Sequence, residues 1–290
     1  MSAGDLITAD GQIEWRGTLL GSASPYRMVR LEGWQDLAEV RGQDLPRPNR
    51  HGLFQGTQLM GKRVITLTYL VKGVPLAGFG AVIAKLREIT APTEHPVEEP
   101  LVARLDKQSW LANARCTRRT IDVAKYYSVG YTTGAIQWVA TDPRLYSPAE
   151  STAQTGLPQP AVDGLVFPLR FPLVFGTGKP GGMLLARNDG DVAAWPVLEI
   201  VGPVRGPVIV NRETGQRLVF DGDFAIDAGQ RLVIDTDART VLLNGVSRND
   251  KLLTRQWFPI PAHGSVRIGF TASDHDPAAL LTVRWRHATI

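Results

Sequence analysis

From Lys62 to Gly73 the chain reads "KRVITLTYLVKG", with Val64, Thr66, Thr68 and Leu70 on one face and Ile65, Leu67, Tyr69 and Val71 on the other. β-formers on both faces predict a strand in the interior of a sheet. The period then changes. In "PLAGFGAVIAKLREIT" (75–90), Leu76, Phe79, Ile83 and Leu86 recur at helical spacing, joined by Val82 and Ile89. Pro75 suits a first helical turn. This is the one helix predicted, amphipathic enough to cover a sheet. "APTEHPVEEP" (91–100), with three prolines, ends it.

Strand patterns surround that helix. "QIEWRGTLL" (12–20) and "YRMVRLEGW" (26–34) read as short strands separated by a turn at "GSASP". Residues 35–61 carry Pro46, Pro48, Gly52, Gly56 and Gly61 and predict a long loop or arm. After the helix, "LVARLD", "SWLANARCTRRTIDVAKYYSV" and "GYTTGAIQWVATD" read as two or three long strands, two of them joined near Gly130. The alternation of Ile136, Trp138 and Ala140 then meets Asp142-Pro143. A proline drives the residue before it out of helical geometry and ends a strand. "DPRLYSP" is therefore read as the close of a first domain, 1–148.

Past Pro148 the texture differs. "AESTAQTGLPQPAVDG" (149–164) is small and polar with two prolines, which is linker composition. From 165 to 290 short strands recur with turns at intervals of roughly ten residues. These are "PVLEIVG", "PVIVNRETGQRLVFDG", "DFAIDAGQRLVIDTDARTVLLNG", "SVRIGFTAS" and "ALLTVRWRH", with "ETG", "DAGQ", "TDAR" and "NG" as turns. No segment here holds a helical period. The predicted fold class is mainly β: a strand-rich first domain with one α-helix, then an antiparallel β-sandwich, galectin-like or jelly-roll-like.

Composition adds exclusions. Lys and Arg number 32 against 28 Asp and Glu in 290 residues, and residues 1–150 (18 basic, 15 acidic) hardly differ from the rest (14 and 13). With no basic arm or acidic tail, specific nucleic-acid binding is not expected. Cys116 is the only cysteine, which excludes an internal disulfide and a cysteine zinc site. "MSAGDLITADG" lacks a secretory pattern, and the uncharged stretch Gly73–Ala84 is too short to span a bilayer. The expectation is a chain made and folded in a cytoplasm, with no membrane partner.

Several motifs invite a chemical reading and fail it. "GTQLMGKR" (56–63) approaches a phosphate loop, but Arg63 stands where the metal-binding hydroxyl belongs, and a strand follows where a helix is required. "GTGKPG" (176–181) matches a dinucleotide loop in form, but Pro180 sits inside it and no long helix follows. His51, His95, His263, His275 and His287 never fall at i, i+3 or i+4. Asp221, Asp223 and Asp227 lack the spacing and closing Glu of a calcium loop and read as a turn. Arg115, Arg118 and Arg119 could lower the thiol pKa of Cys116, but a strand points Cys116 away from Arg115. Asp142 has no base or nucleophile near it in sequence. Trp285 lies on an apolar face. Trp257, in "RQWFPIP", lies near prolines and either packs at a sheet edge or faces a sugar or a partner.

The order of these segments resembles the distal tail proteins of long-tailed bacteriophages. "VIVNRETG", "AGQRLVIDTDARTVLLNG", "WFPIPAHGSVRIGF" and "LLTVRWRH" carry the likeness, through Asp235, Asp237, Arg239, Trp257, Phe258 and Gly264. The first segment and the 35–61 loop look like the family's ring-forming domain. The resemblance implies a structural virion protein of the tail tip, assembled in the host cytoplasm, with no catalytic residues, cofactor or metal. It implies a homo-oligomer, a hexameric ring, joining the tail tube protein to the hub, the tape-measure protein and the adsorption apparatus. The alternative is a carbohydrate-binding module for host cell-wall sugars, which needs exposed aromatics such as Trp257. A cell-wall hydrolase would need a carboxylate pair or metal cluster, and linear spacing assembles neither.

Overall fold

The computed structural model describes residues 2–158 and 181–290. The chain divides into two compact units, Met1–Pro148 with Thr289–Ile290, and Ala149–Ala288. Both are mainly β, their strands pair antiparallel, and Leu76–Ile89 is the one α-helix among the described residues.

In the first unit the strands lie in the order Thr18–Gly21, Gln12–Trp15, Glu99–Leu105, Gln108–Ile121, Thr132–Ala140, Arg63–Val71, Tyr26–Glu32. Arg63–Val71 is interior, as its sequence predicts. Ile65, Leu67, Tyr69 and Val71 are buried to the last atom. The expected single strand over 12–20 is instead a hairpin. Arg16 and Gly17 both take positive φ (47° and 65°) and close a two-residue turn between Trp15 and Thr18. Arginine is a rare choice for such a turn, where Asn or Asp is usual, so local chemistry hid it.

Gln108–Ile121 joins two halves of the unit. Its first seven residues pair with Glu99–Leu105, and from Arg115 it pairs with Thr132–Ala140. A bulge between Cys116 and Arg118 interrupts this second pairing just after the change of partner. The expected strand in "YYSV" does not form. The chain leaves the sheet at Ile121, turns through a short 3-10 segment at Tyr127–Val129 and re-enters at Thr132.

The helix buries Phe79, Ile83, Leu86 and Ile89 and leaves Leu76 exposed. Side chains from the sheet bond its carbonyls. Tyr26 Oη donates to Val82 O (2.7 Å), Trp15 Nε1 to Ile89 O (2.8 Å) and Arg119 Nη1 to Arg87 O (3.1 Å). Two of these are among the last carbonyls of the helix, which have no partner within it. Burial pushes the pKa of Tyr26 up to about 12, so the hydroxyl stays a donor. Trp15 meets Trp138 edge to face, with ring centroids 5.8 Å apart, at the centre of the core. Gly134 leaves room for the hydroxyl of Tyr69 to donate to Thr120 O at 2.8 Å; a Cβ there would stand 2.4 Å from that hydroxyl.

The second unit is the predicted sandwich. One sheet runs Ser151–Gly156, Leu280–Trp285, Val197–Val201, Arg231–Asp235, Thr240–Leu243, Val246–Ser247; the other Met183–Asn188, Gly264–Thr271, Val208–Asn211, Arg217–Phe220, Leu252–Arg255. Alternate residues are buried, as in Met183–Asn188, where Leu184, Ala186 and Asn188 point inward. The expected turns form by side-chain chemistry. Asp235 Oδ1 accepts from the amides of Asp237 and Ala238 (2.9 Å each), and Asn244-Gly245 takes two positive φ values (49° and 84°).

The expected linker 149–164 differs. Ser151–Gly156 is a strand, paired in register from Ser151 with Trp285 to Gly156 with Leu280. Small polar residues suit an edge position, where the backbone supplies the bonds and the side chains need no apolar cover. Residues 159–164 of that stretch, 165–180 of the sandwich reading, and all of "GTGKPG" but Gly181 lie outside the described residues.

Candidate functional site

The 35–61 segment folds back on itself as a two-stranded ribbon. Val40 pairs with Met60 and Arg41 with Leu59; further out, Leu45 pairs with Phe54 and Pro46 with Leu53. Gly61 N donates to Glu39 O (2.7 Å) and Gly56 N to Asp44 Oδ1 (2.9 Å) between the rungs. Prolines and glycines keep the ladder short, and Pro48–His51 carry it round the tip. Almost nothing covers it: Leu45 is 64% exposed, Leu59 57% and Phe54 56%. No Asp or Glu occurs from Leu45 to Gly61, while Arg47 and Arg50 flank the tip and Arg47 lies 5.2 Å over the Phe54 ring. A lone two-stranded ribbon is at best marginally stable in water. Apolar side chains displayed on one mark a surface made for contact.

The ribbon has a built root. Arg63, the first residue of the strand that leaves it, is 1% exposed. Its Nη1 donates to the carbonyls of Gly33 (2.8 Å), Trp34 (3.0 Å) and Asp36 (2.9 Å), and its Nε to that of Pro143 (2.7 Å). Burial lowers its pKa, while Asp36 and Asp142 hold it up. Arg63, which spoils the phosphate-loop pattern, thus has a structural role that the pattern did not disclose.

A second exposed group lies in the loop 122–131 of the same unit. Val123, Tyr126, Val129 and Tyr131 are exposed there, with Tyr126 and Tyr131 edge to face at 6.2 Å. Backbone bonds such as Tyr131 N to Tyr126 O (3.2 Å) hold the loop closed on itself.

The candidates for chemistry are placed as follows. Asp142 accepts from Arg144 N (3.1 Å), Arg144 Nε (2.9 Å) and the hydroxyl of Tyr146, so its carboxylate builds the turn. Cys116 is half-buried, and burial pushes its thiol pKa up, opposite to activation. Asp221 Oδ1 accepts from Asp223 N (3.1 Å), a turn contact. Trp285 is buried and donates to Arg187 O (2.7 Å). Trp257 is half-buried beside buried Phe258, and its carbonyl accepts from Gln216 Nε2 (3.3 Å). Among the described residues no three His, Cys, Asp or Glu side chains converge to hold a metal, and no helix is long and apolar enough to cross a membrane.

These features define a mainly β protein of two units that displays an arm and apolar loops. Residues 189–288, within the second unit, match the model of the family of siphovirus-type tail components, C-terminal domain. The resemblance to distal tail proteins thus holds. Two solved structures share the fold. The Dit protein of phage SPP1, described as a paradigm of the hub adsorption apparatus in phages infecting Gram-positive bacteria, is 11% identical over 96% of this chain and 99% of its own, with a TM-score of 0.66. A chain of the phage P2 baseplate, in its activated conformation with Ca, is 12% identical over 94% and 97%, with a TM-score of 0.50. No curated protein matches the sequence.

Proposed function

We propose that the protein is a structural component of a bacteriophage tail tip, and that its copies form a hexameric ring joining the tail tube to the hub and the adsorption apparatus. The observation that carries this reading is the exposed ribbon 40–60. Its apolar rungs have no cover among the described residues, and a neighbouring copy can supply it. A contact between two different surfaces of identical copies closes into a ring when the rotation fits, leaving no copy with an unmet surface. On this reading residues 1–148 are the ring-forming domain, the tail tube, hub and tape-measure proteins are the partners, and the virion is the location. The protein binds and positions; it turns nothing over. The sandwich contacts further tail partners, with Trp257 as its contact residue.

The test is the mass of the assembled protein, read by light scattering and by electron microscopy of tails. Six copies around the axis support the reading. A single copy on the axis, or a ring that persists after residues 40–60 are replaced by a short turn, overturns it.

A further inference from the structure

We infer that Arg63 is a positioning residue that couples the arm to the turn ending the first unit. One guanidinium binds three parts of the chain. It is itself the exit of the arm, two residues beyond Gly61. Its Nη1 gathers the carbonyls of Gly33, Trp34 and Asp36, which form the entry to the arm. Its Nε holds the carbonyl of Pro143, inside the turn that Asp142 organises through Arg144 and Tyr146.

Other contacts show that the entry is a joint made to fit. Gly33 takes a positive φ of 76°, and a Cβ there would stand 1.8 Å from the carbonyl oxygen of Val64, so only glycine lets the chain pass this close. Gly33 N donates to Asp36 Oδ2 at 2.6 Å, which turns the entry carbonyls toward Arg63. Trp34 is buried beneath them. Nη2 of Arg63 is buried with no hydrogen-bond partner among the described residues. Burying a charged group with one donor unmet is costly, and a simple apolar residue would fill the space at less cost. A fork with two donating nitrogens at fixed separation does what an apolar residue does not: it sets the distance between the arm entry and the Pro143 turn. The coupling does not depend on what the arm binds.

Hydrogen exchange on the free, full-length protein tests this. Asp142→Ala loosens the Pro143 turn directly. If Arg63 is the link, the same substitution speeds exchange in peptides covering 33–37 by roughly tenfold, a typical scale for local opening. In an Arg63→Met background, exchange at 33–37 is already fast and Asp142→Ala adds nothing. That non-additivity is what a merely structural role would not give. Unchanged exchange at 33–37 in Asp142→Ala, or fully additive effects of the two substitutions, overturns the inference. Should Arg63→Met fail to fold, Arg63→Lys serves: it keeps the charge without the fork and is expected to lose the coupling as well.

Discussion

The arm and the sandwich contain the same local device, a pair of antiparallel strands joined by a short loop, with opposite fates for their apolar residues. In the sandwich, Arg231–Asp235 pairs with Thr240–Leu243, and Leu232, Ile234 and Val241 are buried. In the arm, Leu45 pairs with Phe54 and both are exposed. Backbone pairing alone contributes little, since water competes for the same bonds. Burial of one face is what stabilises the sandwich strands, at about 25 cal/mol per Å² of apolar surface. The arm has no such face within its own unit. Ordering each residue costs roughly 1–2 kcal/mol of backbone entropy, so its shape is maintained by its root and, on our proposal, by a neighbour.

That contrast can be broken in several places. The largest effect belongs to the sandwich core. Phe270, fully buried, changed to alanine is expected to cost about 3–5 kcal/mol of folding stability by chemical denaturation. The arm should behave otherwise. Phe54→Ala is expected to leave stability of the free protein within about 0.5 kcal/mol while removing assembly. Equal losses at the two positions would mean that the arm is part of a folded core.

A smaller effect, at most roughly 3 kcal/mol, concerns the helix seat and appears with pH. The folded pKa of Tyr26 is raised to about 12, above its usual 10. The stabilisation is therefore complete below pH 10 and is lost as pH rises through 12, because the unfolded chain ionises first; linkage sets its full size at roughly 3 kcal/mol. Tyr26→Phe should remove that part of the alkaline slope in thermal melts.

The mildest probe is proteolysis. Brief trypsin treatment of the unassembled protein is expected to cut first after Arg50 of the tip, since Pro48 blocks cleavage after Arg47, and assembly should protect the Arg50–His51 bond. Cleavage within the sandwich strands before the tip would contradict the difference drawn between the two regions.

Much of this was legible from pattern. The helix was marked by the spacing of Leu76, Phe79, Ile83 and Leu86, three of which it buries, because a helical period survives any tertiary setting. The sandwich turns were marked by Asp235 and by Asn244-Gly245, whose side chains or permissive backbones make turns without outside help. The end of the strand at Asp142 was legible from Pro143, which cannot continue it. The arm was recognised as a long irregular segment, though not as a paired ladder, because Pro46, Pro48, Gly52 and Gly56 mask strand propensity.

The sequence by itself thus determined the elements whose causes are local: the helix, the tight turns, the interior strand Arg63–Val71 and the mainly β class. Tertiary structure alone decided what depends on distant partners. The Arg16-Gly17 turn forms because Gln12–Trp15 is already paired with Glu99–Leu105 on its other side. Ser151–Gly156 becomes a strand because Leu280–Trp285 offers it an open edge. Arg63 becomes the root of the arm because Gly33, Trp34, Asp36 and Pro143 bring their carbonyls to one point. Carbonyls occur at every position, so no residue type announces where four of them will meet; only the folded backbone brings them together.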